Sequence, residues 1–276
     1  MFETGTRLAE QAVTAARRRG LPVPAAVDAA AAMYDVIIQA GHEPDEPRPT
    51  VDDIPTTPEQ LRQLIEDRAA AKRQAESIRT VASAYLEPLA SAYNQAVKNV
   101  VPGWIASLQP EFNGLVKALA QQAKKLPEDL RVSALDWNDH KISAAWEKAE
   151  SAAHQLDQLV SDRKDMARAI GTDGGRDNDL YAVAEITAPS EEAVLGNVLS
   201  KEIGPVLREW RDLKSQPVSR WLHLARSSHV TLLLATPGEV HKRAADMQRW
   251  YDAIAAKGQA SSRNAAVAAV RQALAA

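Results

Sequence analysis

The sequence predicts an all-α fold, an elongated bundle built from long, alanine-rich, coiled-coil-like antiparallel helices. Three observations carry this. The 276 residues include 51 alanines and only 5 % aromatics, a composition weighted towards helix formers. Apolar residues recur at alternating three- and four-residue spacings through most of the chain. Only His229–Leu234 has strand character, and a run that short fits a buried helix equally well.

Thr6 to Arg19 reads as a short amphipathic helix with Leu8, Ala12, Ala15 and Ala16 inward. Gly20 stops it, and Arg17, Arg18 and Arg19 fall where cations complement the helix dipole. Pro22 and Pro24 open a second helix that Gly41 closes. Residues 1–41 then form a helical hairpin. Residues 42–56 hold Pro44, Pro47, Pro49 and Pro55 among five acidic residues. Such a segment is an extended, solvated linker.

Thr57-Pro58-Glu59-Gln60 opens the dominant stretch. The Thr57 hydroxyl accepts a first-turn N–H, Pro58 needs no donor, and Gln60 completes a capping box. From Leu61 the stripe runs through Leu64, Ala71, Ala75, Ile78, Ala82, Tyr85, Leu89, Ala92 and Ala96, broken by Arg68 and Asn99. That spacing presents one face to a partner helix. Pro88 is expected to kink or divide the helix. Val101-Pro102-Gly103-Trp104 reads as a turn, and Pro110 as the start of another helix ended by Lys124, Lys125 and Pro127.

A second long helix is expected from an Asp136 N-cap to Ile170, antiparallel to the first within a bundle spanning 57–170. Residues 171–179 form an Asp/Gly loop. The remainder, 180–276, is a C-terminal helical region. Its helices start at Pro189 or Ser190, at Pro217, at the Thr236-Pro237-Gly238-Glu239 capping box and at Ser261 or Ser262, with a kink at Gly204-Pro205.

Several function classes are narrowed by composition. A net charge of −3 gives no general attraction to nucleic acid or to anionic membranes. The absence of cysteine excludes disulfides, thiolate metal sites and cysteine nucleophiles. No apolar run is long enough to span a bilayer. The N-terminal residues lack a basic region followed by an apolar one, so a cytoplasmic location is expected, with a virion-associated one as its variant. No nucleophile elbow, phosphate loop or dinucleotide fingerprint is present, so no enzyme activity and no cofactor are expected.

Three groups of candidate site residues remain. Leu61, Leu64, Ala75, Ile78, Ala82 and Tyr85 on the stripe, with Trp104 and Trp137 beside turns, are candidate interface anchors. Arg17, Arg18 and Arg19 are the nucleic-acid candidates, although no aromatic residue interleaves with them as in a single-strand platform. Asp173, Asp177 and Asp179 are the candidate ligands for a hard cation. They match neither the EF-hand spacing nor a repeated calcium motif, so no metal is the expectation.

The preferred functional reading is a non-enzymatic structural or assembly protein that works through helix–helix contacts. Its partners would be copies of itself or subunits of a larger particle, and a phage or prophage virion or assembly component is the concrete form. The alternative is a regulatory module that binds nucleic acid or a cytosolic partner through the N-terminal hairpin.

Overall fold

The computed structural model describes residues 2–41, 50, 53–171 and 178–275. The chain is all-α, 79 % helical with ten α-helices among the described residues, and the described strands make a single two-stranded ribbon. Most of the segment 42–56, and the loop residues 172–177, lie outside the described residues.

The first helix, α1 (Phe2–Arg18), starts before Thr6 and turns at Gly20, whose φ of 66° is a left-handed conformation that suits glycine. It is followed by α2 (Ala25–Gly41). Then comes α3, a helix of 66 residues from Pro58 to Ala123, about 100 Å long at 1.5 Å per residue. Thr57 caps it by accepting the Gln60 N–H at 3.3 Å.

This single helix overturns two expected breaks, the turn at 101–104 and the helix start at Pro110, and Pro88 does not divide it. Pro88, Pro102 and Pro110 all lie inside it. Each proline removes a backbone donor and crowds the preceding turn, at about 3 kcal/mol in a helix interior. All three are exposed. They stand about four and about two helical turns apart, so they share one side. The buried stripe Ala90, Tyr93, Val97, Val101, Trp104, Leu108 and Phe112 occupies the opposite side. Carbonyls freed by the prolines therefore face water, which can satisfy them.

Around the C-terminal half of α3 the other helices assemble. Trp104 donates its indole N–H to the Pro22 carbonyl at 2.9 Å, and Tyr34 stacks on Tyr93 with centroids 6.3 Å apart. These two contacts run α2 antiparallel to α3. The next long helix, α4 (His140–Arg168), is capped by Asp139, not Asp136. Asp136 instead accepts the Asn138 N–H at 3.0 Å in the preceding turn.

Gln109 of α3 and Arg163 of α4 reach the adjacent carbonyls of Leu234 and Ala235, at 3.2 and 2.9 Å. Further along α3, Phe112 packs edge-on against Trp221, whose indole donates to Asp157 of α4 at 2.8 Å. Position rises on α3 as it falls on α4, so the expected antiparallel pairing occurs. It uses the C-terminal half of α3, however, and leaves the stretch that begins at Thr57 aside.

The remaining elements are α5 (Asn178–Tyr181), β1 (Ala184–Ile186), α6 (Glu191–Leu195), α7 (Gly204–Asp212), α8 (Pro217–Arg226), β2 (Val230–Leu232), α9 (Pro237–Gly258) and α10 (Arg263–Ala275). A short π-helix, Leu199–Ile203, leads into Gly204, where a kink was expected. The strand reading of His229–Leu234 holds for β2, which pairs antiparallel with β1. Buried Arg243 ties this ribbon to α9 by donating to the Tyr181 and Leu233 carbonyls at 2.7 and 2.9 Å. The expected capping box at Thr236 is complete, with Thr236 and Glu239 each receiving the other's backbone N–H. Buried apolar residues from Ala9 to Val270 form one continuous core, so the helices on both sides of Gly171 share it.

Candidate interaction surface

The sequence-predicted stripe divides at Ala82. From Pro58 to Val81, roughly 24 residues and about 36 Å of helix, no residue is buried. Ala82 is the first buried residue of α3, residues 83–88 are exposed again, and from Tyr93 onwards the helix joins the core. The N-terminal part of α3 is thus an arm with no buried residue, held together mainly by its own ladder of backbone hydrogen bonds.

On this arm Leu61 is exposed, Ile65 and Val81 are each 58 % exposed, and Ile78 is 48 % exposed. Tyr85 follows at 56 %. Leu64 is half-buried and Ala75 exposed. Arg62, Glu66, Arg73 and Glu76 occupy the far side. A lone exposed leucine is ordinary on a protein surface, whereas apolar residues aligned along one helix face are the mark of a contact surface.

Ala82 and Trp104 are placed differently. Ala82 is buried within its own chain. Trp104 is 4 % exposed and sits under the turn between α1 and α2, because the expected turn at residues 101–104 is continuous helix. Trp137 is exposed and packs edge-on against Trp146, with centroids 5.8 Å apart. It lies outside the arm.

The arginine triplet is engaged in ion pairs. Arg17 pairs with Asp28 at 2.8 Å. Arg18 and Arg19 both hold the Asp162 carboxylate of α4, which is only 2 % exposed, and Arg19 also reaches Glu111 of α3 at 3.1 Å. The guanidiniums therefore neutralise a buried carboxylate where three helices meet.

Of the candidate cation ligands, Asp173 and Asp177 lie outside the described residues. Asp179 pairs with Lys164 at 3.4 Å. No group of three or more potential metal ligands gathers among the described residues, and none of their helices is long and apolar enough to cross a membrane.

One concave surface was not legible in the sequence, because it is assembled from distant segments. A cleft of about 350 Å³ is lined by Glu128, Asp129, Arg131, Glu209, His223 and Arg226, among others. Its polar groups are largely spent on structure. Arg226 donates to the carbonyls of Ala123, Leu126, Pro127 and Glu128, at 2.6 to 3.1 Å, closing the C-terminus of α3. Arg131 binds Asp129 and holds its carboxyl down at about 2. Ser219 donates to the Leu130 carbonyl at 3.1 Å. His223 stands 3.6 Å from Glu209 and one helical turn along α8 from Ser219, which lines the same cleft.

Comparison with family models, with curated proteins and with solved structures finds no match to this chain.

Proposed function

We propose that this is a non-enzymatic assembly protein whose exposed helical arm, Pro58–Val81, associates with other helices. The supporting observation is the arm itself. A helix gains most of its stability from packing an amphipathic face, and this one carries such a face with no residue from Pro58 to Val81 buried. The partners are copies of the chain or subunits of a larger particle, of which a phage or prophage structure is the concrete case.

The body supports this role as a rigid mount. The helix that carries the arm continues into the core, so force or orientation passes along one uninterrupted element. The engagement of Arg17, Arg18 and Arg19 in ion pairs favours this reading over the alternative of a regulatory module that binds nucleic acid or a cytosolic partner through the N-terminal hairpin.

The test is light scattering on the purified chain and on Ala75→Asp/Ile78→Asp. Both positions are exposed, so the substitutions leave the core untouched. A concentration-dependent rise in mass that the double variant lacks supports the proposal. A monomer in both cases, with no helical partner bound, opposes it.

A further inference from the structure

We draw no further inference here: the strongest candidate, the cleft beside the C-terminal end of α3 with Glu209, Ser219 and His223 in its wall, carries nothing, because Arg226 and Ser219 are spent on backbone carbonyls and Arg131 on Asp129, and His223 beside the exposed Glu209 selects no ligand.

Discussion

The indole nitrogen of Trp104 lies 2.9 Å from the carbonyl oxygen of Pro22. This bond fastens the turn between α1 and α2 to the middle of α3, and so decides which half of the long helix is core and which is arm. Trp104→Phe removes the donor from this part-buried bond. The expected loss is about 1–2 kcal/mol, read by urea denaturation, with no change in association state.

The junction of three helices at Asp162 supplies a second prediction. Its carboxylate is buried and held by Arg18 and Arg19. Asp162→Asn leaves those cations facing a neutral group, and an unfolding free-energy loss of about 3 kcal/mol is expected. Arg17→Ala breaks only the exposed pair with Asp28 and should change stability by less than about 0.5 kcal/mol. Equal losses from the two would refute the assignment of the triplet to structure.

How much of this was readable beforehand varies along the chain. Thr57, Thr236 and Ser190 announced their helices, because a cap is a local signal. The prolines misled, because their cost was weighed one residue at a time. Positions 88, 102 and 110 share a helix side opposite the stripe of Tyr93, Val97 and Trp104, and that common side marked a single continuous helix. The heptad register from Leu61 was visible, but its exposure was not. Periodicity shows that a face wants a partner without showing whether the same chain provides it. The strand β1 escaped notice because three residues carry no period, and its partner β2 lies in the run His229–Leu234, which by its pattern fits a strand and a buried helix equally well. The cleft around His223 escaped because its walls come from residues far apart in sequence.

A pH dependence follows from Tyr93. Burial in the core raises its hydroxyl from 10.0 to about 12. The unfolded chain ionises near 10 and the folded chain near 12, so protons leave the unfolded state first. Stability is full below pH 10 and falls as the pH rises through this window, by roughly 3 kcal/mol in total. Tyr93→Phe should flatten that part of the alkaline unfolding curve, measured against wild type at matched pH.

The most direct measurement of the central claim is the mass of the chain in solution as a function of concentration, for wild type and for Ala75→Asp/Ile78→Asp. The account predicts a wild-type mass that climbs from monomer to dimer in the micromolar range or above, and a double variant that stays monomeric with an unchanged unfolding midpoint. Identical mass curves for the two proteins would contradict it.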